Sequence, residues 1–572
     1  MRRNVVAVLV LAFVAVLFPA APGFAANSFT FYGSGFGHGL GMSQWGAYGL
    51  AQDGWQYRAV VTHYYSGTRV TRADNPPSTL RIGLTQGRQK IHLESVGGRT
   101  TLRVGNRSSG TLVGEIPRGD KWTVRVHDGK YRVLDANGTR VGGRDYGGSA
   151  RNLYATYAPH DARVHVPEGG ATYNRGFLEF NLYDCGGGSC QMRLILPIAP
   201  QAYLYGLAEV PSSWPAAALR AQAVAARTYA FSKAANGQHR TPCNCALYDS
   251  SLDQVYSGWN KEGGVDGDRW VHAVNRTNHE VVTYRGNLIT AFYASSSGGY
   301  TENNENVWGG TPIPWLRGVC DPGDYTGANP NRVWEETFSA AEVTHALHPY
   351  TGSIGTVRSF RHVHRGVSGR IETVTVNGRQ GSAVVTGTEL RAALGLRDDR
   401  VWINSNKNVT GAIRAKYDKL MCAPGLPASP RVNVQGGNRQ RFAIGAIYRN
   451  NGAGITVWLK GTIYDEYTGT GGPHGVLGLP TTNPAAITGV AGCAAGCKRV
   501  NFEDGRIYWK DGVGANALWG PVLHAYLGDG GARGELGFPT SRVNEPGDGS
   551  SSATFEHGSI DCPSGGGACT IS

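Results

Sequence analysis

The C-terminal part of the chain repeats a short pattern, and this repeat restricts the fold more than any other feature of the sequence. The block F-x-x-G-x-I begins at Phe442, Phe502 and Phe555, and in the first two copies a tyrosine-containing segment and the sequence L-G-[L/F]-P follow it. The third copy stops after its first block. Units this small bury their apolar side chains only against neighbouring units. We therefore predict an array of strand–turn units that ends in a partial, capping copy.

The first residues have the pattern of an export signal. Arg2 and Arg3 precede an apolar run, and two small residues, Gly23 and Ala25, stand where a signal peptidase requires them. This pattern predicts a signal peptide over residues 1–25 and a secreted protein. An uncleaved anchor is the alternative, but the apolar run is short for a bilayer. We expect no transmembrane anchor in the mature chain.

The ten cysteines fit an exported protein held by disulfides. Three close pairs lie in Gly- or Ala-rich loops and can each close a small ring: Cys185/Cys190, Cys493/Cys497 and Cys562/Cys569. The connectivity of the other four is open: Cys243, Cys245, Cys320 and Cys422. Cys243 and Cys245 are spaced too tightly for a zinc knuckle and have no matching second pair. Disulfides are the better interpretation of all ten.

The positive charge is unevenly distributed. The chain carries a formal net charge of +13, yet the part from Arg439 onward holds 10 basic and 11 acidic residues. The excess therefore lies in the first part, where it would favour anionic wall polymers or membrane surfaces outside a cell. The basic residues form no cluster or nucleic-acid motif, so we expect no nucleic acid partner. A solvated basic face with no dedicated ligand is the alternative.

The rest of the sequence predicts an α+β fold that is rich in strands. Short Thr-, Val- and Tyr-rich segments alternate with Asp-Gly, Asn-Gly and Gly-Gly turns. The clearest predicted strands are Thr111–Val113, Lys121–Val126 and Tyr131–Leu134. Asp128-Gly129 and Asn137-Gly138 are hairpin signals. The glycine content, 83 of 572 residues without a G-X-Y period, excludes collagen and favours many tight turns.

Composition also predicts where the chain divides. Residues 425–438 contain several Pro and Gly residues, which indicates a linker. It would separate a larger unit over residues 26–424 from the repeat unit over residues 439–572. Each of the two is long enough to bury a core of its own.

An alanine-rich segment, Pro215–Phe231, is the strongest predicted helix. Gln222 and Tyr229 lie seven residues apart on one face of it, and Arg227 lies on another. Glu209 comes just before this helix, after an apolar approach. Apolar neighbours raise the pKa of a carboxyl group, which suits a catalytic acid. A capping or ion-paired role for Glu209 is the alternative.

Two glycine-rich loops carry further polar residues. One follows a predicted buried strand and contains Ser296, Ser297 and Gly298, whose hydroxyl and amide groups suit the hydroxyl groups of a sugar. The other lies near the start of the mature chain and contains His38 and Gln44. A phosphate-binding loop would need a βαβ context, which is missing. A serine nucleophile would need a G-x-S-x-G elbow, which is also missing.

These segments resemble the SpoIID/LytB family over most of residues 29–404. The stretches GLAEVPSSW, AQAVAARTYA, DQVYSG, FYASSSGGYTENN and GFGHGLGMSQWG carry the resemblance. It implies a lytic transglycosylase that cleaves MurNAc–GlcNAc bonds in peptidoglycan strands without stem peptides. It implies that Glu209 is the catalytic residue. It further implies substrate contacts from Gln222, Arg227, Tyr229, Ser296, Ser297, Gly298, His38, Gln44 and Gln254.

The tail resembles a second family, the LGFP repeat, from about Arg439 to Cys562. This resemblance implies attachment to the cell wall, and together the two imply a secreted, wall-associated protein. No pair of titratable residues recurs in both copies, so we expect binding rather than chemistry from the tail. We expect attachment to use the surface of the whole array. An inert spacer is the alternative.

The sequence departs from the SpoIID/LytB pattern in two places. The G-H-G-x-G-M-S-Q segment precedes the catalytic core here, whereas it follows the core in other relatives. We expect a permutation in which the N-terminal strand returns to the same sheet, so that His38 and Gln44 still reach the cleft. Some relatives bind a metal through a His-Cys pair, where this chain has Leu252 and Asp253. We therefore expect no structural zinc and no cofactor.

Other functions stay open at this stage. One carboxyl group can act as acid and then as base in transglycosylation, whereas a hydrolase more often needs a second carboxylate. Asp249, Asp253 and Glu302 are the candidates for that second group. The alternative from another class is a non-catalytic wall-binding protein that enhances a cell-wall amidase.

Overall fold

The computed structural model describes residues 28–157, 162–186, 189–490, 493 and 496–572. The predicted signal peptide lies outside the described residues. Within the part of the chain that is described, no helix is both long enough and apolar enough to span a bilayer.

The first part of the chain is mostly antiparallel sheet with short helices between the strands. Its strands are β1 Ser28–Gly33, β2 Met42–Ser43, β3 Arg69–Arg72, β4 Leu80–Arg88, β5 Lys90–Ser95, β6 Thr100–Val104, β7 Thr111–Ile116, β8 Lys121–His127, β9 Lys130–Leu134, β10 Leu153–Tyr157, β11 Val164–Val166, β12 Ala171–Tyr173, β13 Leu178–Gly186, β14 Ser189–Ile198, β15 Leu247–Tyr248, β16 Glu280–Tyr284, β17 Asn287–Leu288 and β18 Tyr293–Ala294. Its helices are α1 Gln44–Gln52, α2 Tyr57–Tyr64, α3 Pro200–Tyr205, α4 Ala216–Ala235, α5 Trp259–Glu262, α6 Gly267–Arg276 and α7 Asn304–Trp308.

Two sheets and one central helix form the largest core. A seven-stranded sheet has the order β15-β4-β14-β13-β10-β6-β7, and a five-stranded sheet has the order β12-β11-β5-β8-β9. Their apolar faces share one hydrophobic core with helix α4. Helix α4 is buried along most of its length because its many alanines let neighbouring elements approach closely. On another side, α4 packs against α1, α2 and β16.

The N-terminal strand pairs with late parts of the chain. The remaining elements of the first part are β19 Trp334–Ser339, β20 Val357–Arg365, β21 Ile371–Gly378, β22 Ser382–Thr386, β23 Val401–Ile403, α8 Ala340–Thr351 and α9 Gly387–Leu394. Strand β1 lies between β19 and β23, antiparallel to both. Strand β2 pairs in parallel with β18. The N-terminal strands therefore pair with later parts of the chain, but in two small sheets that are separate from the seven-stranded sheet, whereas the sequence predicts a return to one sheet.

The tail is a stack of sheet-and-helix units. Its elements are α10 Gly411–Lys419, β24 Val432–Val434, β25 Gly437–Arg441, β26 Ala446–Asn450, β27 Ile455–Leu459, α11 Gly461–Gly469, β28 Ala485–Ile487, β29 Cys497–Asn501, β30 Gly505–Lys510, β31 Gly514–Trp519, α12 Gly520–Gly528, β32 Ser551–Phe555, β33 Gly558–Cys562 and β34 Thr570–Ile571. Strands β24–β27, β28–β31 and β32–β34 form three separate sheets. Helix α11 packs on the second sheet and α12 on the third, so each unit buries its helix against the next one.

One stacked pair of rings recurs at each junction of the array. Tyr467 stacks on Phe502 with 4.7 Å between ring centroids, and Tyr526 stacks on Phe555 at 4.8 Å. In both helices the tyrosine hydroxyl donates a hydrogen bond to the carbonyl of the glycine in L-G-[L/F]-P. The repeat pattern thus encodes a helix that anchors the next unit.

Helix α10 has the same junction, and its sequence carries part of the pattern. Its G-x-I-x-x-x-Y run over residues 411–417 matches residues 461–467 of α11, and Gly-Leu-Pro follows at residues 425–427. Tyr417 stacks on Phe442 at 5.2 Å, and its hydroxyl donates to the carbonyl of Gly425. Pro427 then bridges to Phe442, as the L-G-[L/F]-P prolines do to their own phenylalanines. Gly411 has a φ of 61°, a left-handed value shared by the first glycine of α11 and of α12. The array therefore begins near residue 411, inside the predicted larger unit.

The segment predicted as a linker is part of the folded array. Residues 425–438 include strand β24, which pairs with β25. The chain around this segment shares a core that joins Ile413 and Tyr417 of α10 to Phe442 and Ile447 of the first sheet. The prediction was wrong about an extended connector because Pro and Gly also mark the tight turns between short strands.

Disulfides join all ten cysteines. The three close pairs that the sequence predicts are formed. The structure also settles the four open positions: Cys243 pairs with Cys245, and Cys320 pairs with Cys422. The second of these closes across 102 residues and ties α10 to the first part of the chain.

The prediction of a strand-rich α+β fold is confirmed. The segments predicted as strands around residues 111, 121 and 131 are β7, β8 and β9. Asp128 and Gly129 form the turn between β8 and β9, with φ values of 46° and 67°. Both residues need a left-handed backbone, which explains the Asp-Gly sequence at that turn.

Candidate functional site

A cleft of about 520 Å³ opens beside Glu209. Its walls come from the N-terminal glycine-rich loop, from residues 251–255 and from the segment around β18. Four residues that the sequence analysis selects meet in it: His38, Gln44, Glu209 and Tyr229. The tertiary structure thus brings together positions that are up to 191 residues apart in the chain.

Glu209 sits in the loop between α3 and α4, where a neighbouring segment fixes its backbone. Ala208 N–H donates to the carbonyl of Val255, at 2.8 Å. In return, Val255 N–H donates to Oε1 of Glu209, also at 2.8 Å. The amide Nε2 of Gln44 donates to the other carboxyl oxygen at 3.3 Å. Each oxygen of Glu209 therefore has a donor directed at it.

Burial raises the pKa of the half-buried Glu209 above its usual value. Hydrogen bonds from Val255 N–H, Gln44 and Tyr293 act in the opposite direction, because they stabilise the charged form. Burial is the larger of these effects. The carboxyl group is thus biased toward the protonated form and also has donors ready for the ionised form, which is what an acid that later acts as a base requires.

Tyr293 lines the cleft beside Glu209, and Gln254 orients its hydroxyl. The amide of Gln254 donates to the Tyr293 oxygen at 2.8 Å and to the carbonyl of Ala226 at 3.2 Å. The Gln254 oxygen accepts from the hydroxyl of Tyr203. Because Gln254 uses the oxygen of Tyr293 as an acceptor, the hydroxyl proton of Tyr293 is left to donate to Glu209. Gln254 is fully buried and orients Tyr293 rather than lining the cleft.

Gln44 is positioned by a buried network at the start of α1. The hydroxyl of Ser43 caps α1 by accepting from Gly46 N–H, and it donates to Asp324 at 2.8 Å. Asp324 also accepts from the hydroxyl of Ser296 at 2.9 Å. This network joins the N-terminal loop to the Ser/Gly turn, so the residue after Ser43 cannot move away from Glu209 without breaking buried hydrogen bonds.

An aromatic cluster also holds helix α1, which begins at Gln44, in place. Trp45 packs against Trp214 with 4.8 Å between ring centroids, and Tyr48 packs against Trp214 at 5.1 Å. Trp214 belongs to the loop that also carries Glu209. The cluster therefore holds α1 against the loop of the acid.

His38 lines the cleft but is a neutral ring. Burial, followed by the charges of Arg370 and Arg391, lowers the pKa of His38 to about 4. Its Nδ1 accepts from Leu40 N–H at 3.0 Å. The ring packs against Trp308 with centroids 5.2 Å apart. His38 is thus uncharged at neutral pH and forms part of the wall of the cleft.

Five of the predicted substrate contacts do not line the cleft, in addition to Gln254. Ser296 and Ser297 are buried and donate to Asp324 and Asp321. Gly298 has a φ of 70°, and a Cβ there would lie 2.7 Å from the carbonyl oxygen of Ser34. The turn is therefore built to pack against the N-terminal loop. The prediction of sugar contacts from these three residues was wrong, because the two serine hydroxyls are already used inside the protein and Gly298 packs against the N-terminal loop.

The two polar residues of α4 are also buried away from the cleft. Arg227 is 1% exposed and donates to the carbonyls of Val274 and Glu280. Gln222 is 1% exposed as well, and neither atom of its amide has a hydrogen-bond partner among the described residues. Neither can contact a substrate. Helical spacing correctly put Gln222 and Tyr229 on one face, but only Tyr229 lies far enough along the helix to reach the opening.

The other candidate carboxylates are engaged or distant. Asp253 lines the cleft, yet it is paired with Arg240 and with Lys233, and it accepts from the hydroxyl of Tyr229. Glu302 is buried and accepts from Ser368 and from three backbone N–H groups. Burial raises the pKa of Asp249 to about 7, but this residue does not line the cleft. Among the described residues of the cleft, Glu209 is the one carboxyl group without a cationic partner.

The structure adds three cleft residues that sequence reasoning missed. Tyr293 is one of them. The exposed ring of Trp308 and the guanidinium of Arg391 are the others, and Arg391 is the only Lys or Arg among the described residues that line the cleft. Tyr293 lies within the motif FYASSSGGYTENN, but only the pairing of β2 with β18 and the position of α9 show that these residues line the cleft.

The fold and the site define a two-part protein: a strand-rich unit with an acid-bearing cleft, joined to a repeat array. Residues 191–284 match the family model described as Stage II sporulation protein (SpoIID), and residues 477–534 match the LGFP repeat. The chain therefore contains a SpoIID domain and LGFP repeats. Glu209 lies within the first match.

Curated relatives agree with this assignment. An "Amidase enhancer" of Bacillus subtilis (strain 168) is 36% identical over 135 residues, which cover 24% of this chain and 16% of that protein. "Stage II sporulation protein D" of Bacillus amyloliquefaciens is 29% identical over 221 residues, 37% of this chain and 62% of that protein. The protein of the same name in Bacillus subtilis is 28% identical, over 37% of this chain and 63% of its own length. The chain thus spans less than two thirds of each of these relatives.

The network around Ser43 gives a first prediction. Ser43→Ala removes a buried donor to Asp324 and the cap of α1, so we expect a loss of about 1–3 kcal/mol in the free energy of unfolding. Denaturant titration measures it. The exposed Ser78→Ala serves as the control and should change stability by less than about 0.5 kcal/mol. Equal stability of Ser43→Ala and the wild type would contradict the role of the network.

Proposed function

We propose that the protein is a secreted lytic transglycosylase that cleaves MurNAc–GlcNAc bonds in peptide-stripped peptidoglycan strands. The observation that carries the proposal is Glu209, the one carboxyl group among the described cleft residues without a cationic partner, with its raised pKa and the hydrogen bonds from Val255 N–H and Gln44. The resemblance of the surrounding segments to the SpoIID/LytB family supports the same reaction.

One carboxyl group suffices for both steps of this reaction. Protonated Glu209 gives its proton to the glycosidic oxygen, and the bond from that oxygen to C1 of MurNAc breaks. The C6 hydroxyl of the same sugar then bonds to C1, and its proton passes to the Glu209 carboxylate. The product is a 1,6-anhydro ring, no water is consumed, and the acid is restored. Asp253 takes no part because Arg240 and Lys233 hold it as an ion pair.

The neighbours of Glu209 stabilise its ionised form, which exists between the two proton transfers. When Glu209 is ionised, Val255 N–H, Gln44 and Tyr293 each donate to it, which lowers the cost of forming the carboxylate in a half-buried position. When Glu209 is protonated, burial keeps it so at a higher pH than an exposed carboxyl group. Both forms are therefore accessible during one turnover.

Arg391 gives a reason for preferring strands without stem peptides. Removal of the peptide leaves a free lactyl carboxylate on each MurNAc. Arg391 lines the cleft, and no carboxylate of the described residues lies within salt-bridge distance of it. Its charge reaches into the cleft, because it lowers the pKa of His38. A free lactyl carboxylate of the substrate would form an ion pair with the guanidinium of Arg391. A lactyl group in amide linkage to a peptide has no charge at that position and would not.

The repeat array supplies the second half of the proposal, attachment to the cell wall. LGFP repeats in the chain support this role, and the predicted signal peptide supports export. A wall-binding protein that enhances an amidase is the second candidate function. The 36% identity to the amidase enhancer favours it.

Glu209→Gln tests the assignment of the acid. Gln keeps the shape but cannot carry the proton, so we expect release of anhydro-MurNAc ends to fall by at least ~10²-fold. Mass spectrometry of digested, peptide-stripped glycan strands measures it. The exposed Glu115→Gln is the matched control and should keep full activity. Undiminished release by Glu209→Gln would refute the assignment, reducing MurNAc ends from the wild type would indicate hydrolysis, and no cleavage by the wild type would favour the amidase enhancer.

Gln44→Leu tests how the cleft tunes the acid. Gln44 stabilises the carboxylate form, so its loss raises the pKa of Glu209 further. A general acid loses activity as pH rises through its pKa, and the descending limb of the pH–rate profile should therefore move to higher pH. Gln52→Leu, at the exposed end of the same helix, should leave the profile in place. A limb that stays put, or that moves to lower pH, in Gln44→Leu would contradict the proposed hydrogen bond.

Arg391→Gln tests the preference for stripped strands. We expect a KM for peptide-free strands that is about tenfold higher, with kcat less affected, because the lost contact binds the substrate carboxylate. Arg391→Lys should recover part of the affinity. Arg358→Gln removes an exposed guanidinium elsewhere and should change nothing. An unchanged KM in Arg391→Gln would remove the carboxylate contact from the proposal and leave the role of Glu209 intact.

A further inference from the structure

A second groove, of about 570 Å³, lies where α10 meets the first two units of the repeat array. Its wall contains two indole rings, Trp458 and Trp509, and three ammonium groups, those of Lys416, Lys460 and Lys498. No acidic residue is among the described residues that line it. The groove is far from Glu209 in the sequence and shares no lining residue with the cleft.

The two tryptophans of this groove are not part of the pattern that the repeat units share, so the groove does not follow from the stacking of the units alone. Register pairs Ile447 with Trp458 in the first unit and Ile507 with Ala517 in the second, so the position of Trp458 is an alanine at the next junction. Trp509 follows Tyr508, and the corresponding residue after Tyr448 is Arg449. Neither tryptophan belongs to the pattern that the units share.

The next junction has an ion pair at the corresponding positions. Lys416 precedes the stacking tyrosine of α10, and Glu466 holds the same place in α11. Glu466 is bound there by Arg542 at 2.6 Å. Asn483 stands where Arg542 does, and Lys416 donates to it at 2.8 Å. The first junction therefore has a lysine bonded to a neutral amide where the second junction has an internal ion pair.

Each indole ring of the groove has a lysine ammonium group close to it. The ammonium of Lys460 lies 4.5 Å from the ring centroid of Trp458, and that of Lys498 lies 5.3 Å from the ring centroid of Trp509. Lys498 and Trp509 are also directly opposite each other on β29 and β30. The indole of Trp458 is fixed by a hydrogen bond from its N–H to the carbonyl of Ile444, at 2.8 Å.

We propose that this groove binds an anionic polysaccharide. A sugar ring presents an apolar face that packs on an indole, and its acidic substituents then lie within reach of the lysine beside that indole. Two such pairs, with Lys416 between the units, fit a chain of several sugars. A neutral glycan would leave three clustered ammonium groups without partners, so charge complementarity selects an acidic one.

The groove gives the attachment half of the proposed function a definite location, and it rests on that half alone. Cys320–Cys422 ties α10 to the segment that carries Asp321 and Asp324. The groove and the cleft are thus held on one framework. A bound wall polymer would keep the cleft at a fixed distance from its anchor.

The test measures binding by the full-length Glu209→Gln protein, which cannot shorten its ligand if the proposed role of Glu209 holds. The probes are peptide-free peptidoglycan glycan strands, a sugar-phosphate polymer (poly(N-acetylglucosamine 1-phosphate)), chitohexaose as the neutral sugar and oligo(dT) as another polyanion. Affinity electrophoresis at low and at moderate salt gives the dissociation constants. Lys460→Glu/Lys498→Glu is compared with Lys121→Glu/Lys130→Glu, which makes the same change of net charge at two exposed lysines of the first part.

We expect the Lys460/Lys498 pair to weaken binding of at least one anionic polysaccharide by tenfold or more, and the Lys121/Lys130 pair to weaken it by less than twofold. Trp458→Ala/Trp509→Ala should weaken the same probe, with the melting temperature as a control for folding. Carboxylate and phosphate sources are distinguished by which polymer responds. Because cleavage is not measured, an inactive wild-type enzyme would leave this result unaffected.

Three outcomes would contradict the proposal that the groove binds an anionic polysaccharide. Equal losses in the two lysine pairs would show attraction by net charge alone. Groove-dependent binding of oligo(dT) without any polysaccharide would assign it to a different class of ligand. Undiminished binding in both the lysine and the tryptophan variants would place binding outside the groove, in the cleft or elsewhere on the array. If the tryptophan variant fails to fold, the lysine pairs, which change only exposed side chains, decide the question.

Discussion

Two buried carboxyl groups, Asp321 and Asp324, hold together segments that lie almost 300 residues apart, and the site depends on them. Asp321 accepts from Tyr64 and Ser297, and Asp324 accepts from Ser43 and Ser296. Burial raises the pKa of both groups, and the repulsion of Asp321 helps raise that of Asp324 to about 7. Because unpaired buried carboxyl groups are costly, these four donors hold the N-terminal loop on the Ser/Gly turn.

The repeat array depends on a smaller interaction, the stacking of a helix tyrosine on the phenylalanine of the next unit. This contact occurs at Tyr467 and Tyr526, and it occurs also at Tyr417 of α10, which lies outside the repeat unit predicted over residues 439–572. Through that helix the array joins the first part of the chain. Arg414 of α10 donates to the carbonyl of Asp321, so the framework of the cleft and the first junction of the array share a residue.

The two proposed glycan sites use opposite electrostatics for different tasks. In the cleft, one half-buried acid needs both protonation states, so its surroundings combine burial with hydrogen-bond donors, and a single guanidinium at the rim faces the substrate. In the groove, three lysines and two indoles offer attraction and apolar contact but no proton donor suited to glycosidic chemistry. The proposed catalysis and the proposed attachment should therefore be separable by mutation, although one framework carries both sites.

The sequence by itself determined the local features: the strand-rich fold, the close disulfides, the Ala-rich helix, the repeat and the place of Glu209 in a loop before a helix. Turn chemistry, periodicity and motif spacing act over a few residues and can be read directly. Only the tertiary structure decided which polar residues reach the cleft. Ser296, Arg227 and Gln254 resemble ligand-binding residues in sequence, but they hydrogen-bond to other buried side chains or to the backbone inside the fold. Tyr293 and Arg391 line the cleft because distant strands and helices bring them there. Burial is a property of the whole packed chain, and no local pattern reports it.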